Sequence, residues 1–252
     1  MIRKSAMTLI IICSLFSMSF AQKNWGARVG FGLTKINEVI NINRYRTLLG
    51  ANGALTLMEQ SKYDLKIAFD GEASYYVYDY LDYESINISG IRILLDVFPE
   101  ITLNLSKTVK PGLGIGISGA AEEERHNFDD PESKSEMVYT NGLFGLIIQP
   151  NLTFVLENIF LRGVIKYRYL YKEKHYDGKY EGEWNEKFKG NEAFRAQSWD
   201  VILSGGLKLG NLWFEGGIQA ENWVDKYEPS PRWYKWPEDW EYMLFLRLSG
   251  EY

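Results

Sequence analysis

The chain has 252 residues, 28 Lys and Arg against 33 Asp and Glu, and a formal net charge of −5, an acidic balance that offers no electrostatic footprint for nucleic acid. Its single cysteine leaves no disulfide framework to support the fold. Aromatic residues (8 Trp, 17 Tyr, 13 Phe) and 23 Gly against 7 Pro suit a chain of many short β-segments.

The first segment reads as a cleavable secretory leader: Arg3 and Lys4 precede an apolar run from Ala6 to Phe16, and the small residues Ser19 and Ala21 bracket Phe20 before Gln22. The apolar run is shorter than the roughly 20 residues of a spanning helix, so residues 1–21 are assigned to a signal peptide cut at Ala21-Gln22, and 22–252 to one domain. Cys13 lies inside the leader after Ile12, a position unsuited to lipid attachment. Removing Arg3 and Lys4 brings the 28 basic residues to 26 against 33 acidic, a net charge of −7.

Beyond Gln22, segment after segment alternates with period two, the mark of a strand with one apolar and one polar face. Trp25, Ala27, Val29, Phe31 and Leu33 share one face; further on, Leu65, Ile67, Phe69, Ala73, Tyr75 and Val77 oppose Asp64, Lys66, Asp70, Glu72 and Ser74. Ten strands are predicted, at 24–33, 46–58, 63–79, 86–105, 108–121, 137–156, 159–172, 197–209, 212–223 and 240–252. Short connections at 59–62, 106–107, 157–158 and 210–211 alternate with long polar ones at 34–45, 122–136, 173–196 and 224–239, and a shorter one at 80–85. Short turns on one side and long loops on the other, with an even strand count, point to an all-β, closed antiparallel up-and-down transmembrane β-barrel of about ten strands.

A weak repeat supports the register. Pro99 to Lys107 aligns with Pro150 to Asn158, and Gly112 and Gly163 follow at equal distances. Because proline removes a ladder donor, a bulge or bend is expected at Pro99 and Pro150, with a turn at each as the competing topology.

In the last segment Tyr242, Leu244, Leu246, Leu248, Gly250 and Tyr252 alternate up to an aromatic final residue. This pattern resembles the C-terminal assembly strand of small bacterial outer-membrane β-barrel proteins, a class that more commonly ends in Phe. The resemblance implies a Gram-negative outer-membrane location, with outer-membrane lipids, lipopolysaccharide and the barrel-assembly machinery as partners.

Catalysis in such barrels needs a histidine near a nucleophile at the outer rim. The two histidines, His126 and His175, fall in predicted loops with nothing to fix them beside a serine, so no catalytic residue is assigned. Glu122, Glu123, Glu124, Asp129 and Asp130 share a loop with His126, but their spacing matches no calcium loop and reads as a solvated surface; neither a metal nor a cofactor is expected. Trp233, Tyr234 and Trp236, on a loop stiffened by Pro229, Pro231 and Pro237, could stack on an extracellular glycan or protein, while Trp223 and Trp240 suit the membrane interface. Tyr75, Tyr169, Trp199 and Tyr242 are expected near the outer rim, and Trp25, Phe154 and Tyr252 near the inner one.

The inward parity carries an interior charge network of Asp64, Lys66, Asp70, Glu72, Arg92, Asp96, Arg162, Lys166, Arg168, Glu215 and Arg247, joined by Arg28, Lys110, Asp200, Lys208 and Glu221. Folding strands three and four about 80–85 is expected to set Glu72 opposite Arg92 within a residue or two, and Lys66 diagonal to Asp96. The leading functional expectation is a non-enzymatic barrel serving surface interaction or envelope integrity. The alternatives are a narrow ion or small-solute channel, an outer-membrane hydrolase and a soluble ligand-binding barrel.

Overall fold

A computed structural model describes residues 24–37, 42–80, 86–130, 133–180, 183–226 and 240–251. Among them the chain is all β: β1 (Asn24–Asn37), β2 (Ile42–Glu59), β3 (Tyr63–Tyr80), β4 (Ile86–Leu103), β5 (Val109–Asp130), β6 (Ser133–Leu156), β7 (Ile159–Tyr180), β8 (Glu183–Leu209), β9 (Leu212–Lys226) and β10 (Glu241–Glu251). Each strand pairs antiparallel with its sequence neighbours, and β1 pairs β10, so the sheet closes into a barrel with no free edge. Closure satisfies the backbone donors and acceptors within the sheet, the condition for crossing hydrocarbon with strands. The leader with Cys13, the loop residues Trp233, Tyr234 and Trp236, and Tyr252 lie outside the described residues.

Side chains are distributed in the reverse of a water-soluble protein. Val29, Leu49, Ile67, Leu95, Ile117, Leu146, Ile165, Leu203, Ile218 and Leu246, one from each strand in turn, are exposed on the outside. Arginines and carboxylates are buried within. Such an exterior is stable against lipid and not against water. Tyr75, Tyr169, Trp199 and Tyr242 are exposed, as is Phe154. Leu146, 61% exposed, tests the belt. Leu146→Arg is expected to cost about 2–4 kcal/mol of folding free energy in bilayers, the range for a cation on the lipid face near the midplane, against little change for Leu146→Phe, read by urea titration of the refolded barrel.

The strands are longer than the predicted ones at one end of the barrel. β5 and β6 run together to Asp130↔Ser133, and β7 and β8 to Tyr180↔Glu183. Residues 122–130, 133–136, 173–180 and 183–196, expected in loops, are therefore hairpin arms. Crossing a bilayer takes only about 9–11 residues per strand, whereas β7 has 22 and β8 has 27, so the surplus projects beyond the apolar belt as two ribbons. Polarity signalled a loop there, but a polar ribbon outside the membrane satisfies its backbone by pairing just as well.

Neither proline marks a turn or shifts the register. Pro99 pairs Ile67 and Pro150 pairs Leu113 in unbroken ladders. On the opposite side each ladder skips and resumes in step, between Val97↔Ile117 and Glu100↔Gly114, and between Ile148↔Tyr167 and Asn151↔Val164. The missing donor is absorbed as a gap in one ladder, without the expected bulge. Register shifts occur instead at Lys35/Asn37, Thr56/Met58 and Tyr176/Gly178. At the other end, the two-residue turns open with a positive φ at Glu157 (48°) and Gly210 (65°).

Glycines let interior side chains lie flat on the wall. A Cβ on Gly145 would stand 2.1 Å from the Tyr169 carbonyl oxygen, and one on Gly116 2.2 Å from that of Val97. Both contacts are to backbone, so a side chain cannot be accommodated by rotation. Gly145→Ala is expected to destabilise the barrel by about 1–3 kcal/mol, as overpacking does, measured by the same titration.

Candidate functional site

The inward faces of the ten strands meet in the lumen, and their charges pair mainly across it. β1 brings Arg28, β2 Arg46, β3 Asp70 and Glu72, β4 Arg92 and Asp96, β7 Lys166 and Arg168, β8 Asp200, β9 Glu215 and Glu221, and β10 Arg247. These are six cations and six carboxylates, and all but Asp70, which is half-buried, are buried.

Two centres organise them. At the first, Asp96 accepts from Arg168 Nε at 3.0 Å and Nη2 at 2.7 Å, and from Ser118 Oγ at 2.7 Å, while Lys166 Nζ stands 3.4 Å away. Arg168 Nη1 turns to Asp200 at 2.9 Å and Ser198 at 3.2 Å, so one guanidinium ties β4 to β7 and β8. Lys166 also bonds Asp70 of β3 across the barrel. At the second, Glu221 of β9 accepts from Arg46 of β2, from Arg92 of β4 at 2.7 Å and from the Trp223 indole. Arg46 bonds Glu72 as well, and Glu72 accepts from Arg28 at 2.8 Å. Planar guanidinium forks suit this role because each can serve two carboxylates at once.

Glu72 and Arg92 fall two residues apart in register, within the expected range, but their charges do not pair. Glu72 faces Leu94, and Arg92 faces Ser74; Glu72 takes Arg28 and Arg46, while Arg92 reaches Glu221. Lys66 pairs with Glu100, directly opposite it, at 2.8 Å, and not with Asp96. Adjacent-strand reasoning missed these contacts because arginine is long enough to cross a ten-strand lumen. Glu215 does pair with Arg247, opposite it, at 3.1 Å. Asp64 and Arg162 face the interior lower down and join neither centre.

Other interior residues fell outside the expected set. Arg44 falls in the expected 34–45 connection and Arg46 at the first position of the expected 46–58 strand; in the barrel Arg44 bonds Glu241 and lies over the rings of Tyr76 at 4.1 Å and Tyr78 at 5.1 Å. The alternation Arg44, Arg46, Leu48 in step with the strand was the signal that could have placed them. Trp223, expected at the membrane interface, faces inward beneath Arg92, 4.6 Å from its ring centroid, and packs on Leu143, Leu170 and Ala196. Trp25 keeps the outward parity of Val29 and Phe31, and its indole lies over Gly250, opposite it on β10.

Above the lattice, Tyr76 donates to Glu122 at 2.8 Å, and its oxygen is 3.1 Å from Glu124. His126, expected in a solvated loop, lies on β5, bonded to Glu124 and edge-on to Tyr139. His175 lies on β7 and is exposed, and Glu123 pairs with Arg125 at 2.8 Å. The acidic run is thus split by strand parity between interior and exterior.

No protein-family model matches the sequence, and no curated protein matches it either. Among solved structures the barrel is similar to the outer-membrane protease OmpT from Escherichia coli, with 12% identity, 93% of this chain and 98% of that one covered, and a TM-score of 0.48. It is also similar to the translocator domain of the autotransporter NalP from Neisseria meningitidis, with 9% identity, 99% and 95% covered, and a TM-score of 0.50. Likeness at such identity is one of fold alone, and that fold is the closed β-barrel of bacterial outer-membrane proteins.

Proposed function

We propose that the chain is an outer-membrane protein of a Gram-negative envelope, exported by its leader, that neither conducts nor catalyses and acts through its outer ribbons and loops on an extracellular glycan or protein. The observation that carries this reading is the lattice of Arg28, Arg46, Glu72, Arg92, Asp96, Arg168, Asp200 and Glu221, which spans the lumen with nearly fully buried side chains. Small barrels are filled by side chains, and aqueous channels belong to barrels of about sixteen strands. With its middle closed, surface contact falls to the outer side, where the β5–β6 and β7–β8 ribbons extend, and the aromatic Trp233, Tyr234 and Trp236 of the last connection in sequence suit such contact. The narrow-channel alternative draws on the cavity beneath the lattice, which leads up to it from the short-turn end. Planar-bilayer recording of the refolded protein separates the two. The closed-barrel reading expects no steady open level, and a large, steady conductance would replace it with the channel.

A further inference from the structure

Below the lattice the lumen is not filled. A cavity of about 860 Å³ opens toward the short turns, with Glu59, Glu157 and Asn211 at its mouth. This is within the usual span of small-molecule sites, roughly 300–1,000 Å³. Its upper wall is apolar, from Ala54, Ala68 and Phe98 on one side to Val164 and Ile202 on the other.

The polar lining is lopsided. Lys110 stands opposite Thr153, Thr153 opposite Arg162, and Arg162 opposite Ser204, in one row across β5 to β8. Directly opposed residues have Cβ atoms about 4.5–5.5 Å apart, which sets Lys110 and Arg162 about 10 Å apart with side chains long enough to meet on one bound group. The other four cations of the cavity are engaged, Lys66 by Glu100, Lys166 by Asp70, Arg247 by Glu215, and Lys208 over the Trp213 ring at 4.9 Å. Among the described residues neither Lys110 nor Arg162 forms an ion pair within 4.0 Å, and Arg162 Nε is buried with no acceptor. Glu100, the acid that Arg162 influences, is already bonded to Lys66 and Thr102, and Asp64 and Glu59 stand on β3 and β2. Gln149, 4% exposed, and Ser204, 9% exposed, also line the cavity with Oε1 and Oγ buried and unpartnered. Buried polar atoms are overwhelmingly hydrogen-bonded in native proteins; the open acceptors of Asn52 and Asp64 lie on β2 and β3, whereas Arg162 Nε, Asn151 Nδ2 and Ser204 Oγ leave donors open on β6 to β8, where an acceptor group belongs.

We propose that this vestibule binds a small organic anion, a carboxylate or phosphate ester with an apolar body, entering from the short-turn side. Arg162 and Lys110 hold the anionic group, Ser204 Oγ and Asn151 Nδ2 supply neutral donors, and Phe98 and its apolar neighbours take the body. An arginine fork with a lysine beside it is suited to either anion.

The test is fluorine NMR on the full chain refolded in detergent micelles, with 4-fluorophenyl phosphate and 4-fluorobenzoate as anionic probes and 4-fluorobenzyl alcohol and 4-fluorobenzylamine as neutral and cationic ones. Saturable broadening of one or both anions, beyond that in empty micelles, is expected; which anion responds separates phosphate from carboxylate. Arg162→Gln should weaken binding about tenfold or more, the loss of a charge-assisted bond. Thr153→Glu places a carboxylate between Lys110 and Arg162 and should abolish binding while leaving the barrel folded, since opposite charges facing each other across strands attract. Equal response to the alcohol or amine, no response to either anion, or undiminished binding by folded Thr153→Glu overturns the proposal. None of these readouts depends on whether the barrel conducts.

Discussion

Arg168→Met is expected to lower the unfolding free energy of the refolded barrel by about 3–5 kcal/mol, the range for removing one partner of a buried ion pair. The substitution keeps most of the side-chain volume and leaves Asp96 and Asp200 without the guanidinium that bonds both. Lys166, 3.4 Å from Asp96, compensates only part of this, and it is already bonded to Asp70. Most of the cost is thus stranded charge, which gives the prediction a second arm. Arg168→Met combined with Asp96→Asn and Asp200→Asn should recover most of the loss, because the uncompensated carboxylates are gone. Urea titration in detergent, followed by tryptophan emission, measures both arms. A triple variant no more stable than the single one would show that Arg168 acts by packing and not by charge.

The second large effect is on permeability. The wild type should show no steady conductance in planar bilayers, and Arg46→Ala with Glu221→Ala should produce frequent, flickering openings. Glu221 collects Arg46, Arg92 and Trp223, and Arg46 continues to Glu72, so this pair links β2, β3, β4 and β9 across the middle of the lumen. Truncating both removes bulk from the centre and leaves Arg92 and Glu72 one partner fewer. Glu72→Ala with Arg92→Ala, the pair that hairpin adjacency suggests, removes residues that do not touch each other's charge. It takes one partner from each of Arg28 and Arg46 on one side and one from Glu221 on the other; because Arg46 bonds Glu221 and so joins the two sites, the costs should couple in a double-mutant cycle without any direct contact between the pair. Strict additivity of the two, or a wild-type barrel with a stable open level, would contradict the lattice as the closing element.

Sequence alone determined the class of architecture. Period-two alternation, two-residue turns such as Gly210-Asn211 and an even series of ten segments are local properties, and side-chain parity along a strand follows from its pleat. That is why Arg28, Glu72, Asp96, Arg168 and Arg247 could be assigned to the interior without knowing what they touch. Tertiary structure alone decided the rest. Which carboxylate meets which guanidinium depends on closure of β1 on β10, which brings β2 within reach of β9 and β3 within reach of β7; no window of sequence contains that distance. Where the strands end was equally hidden, since outside the membrane polar residues suit a paired ribbon and a loop alike, so the arms holding His126 and His175 read as loops. Trp223 shows the same limit from the apolar side. An indole at a strand end suits the lipid interface as well as a place beneath an arginine, and its position on the inward side of β9 decided between them.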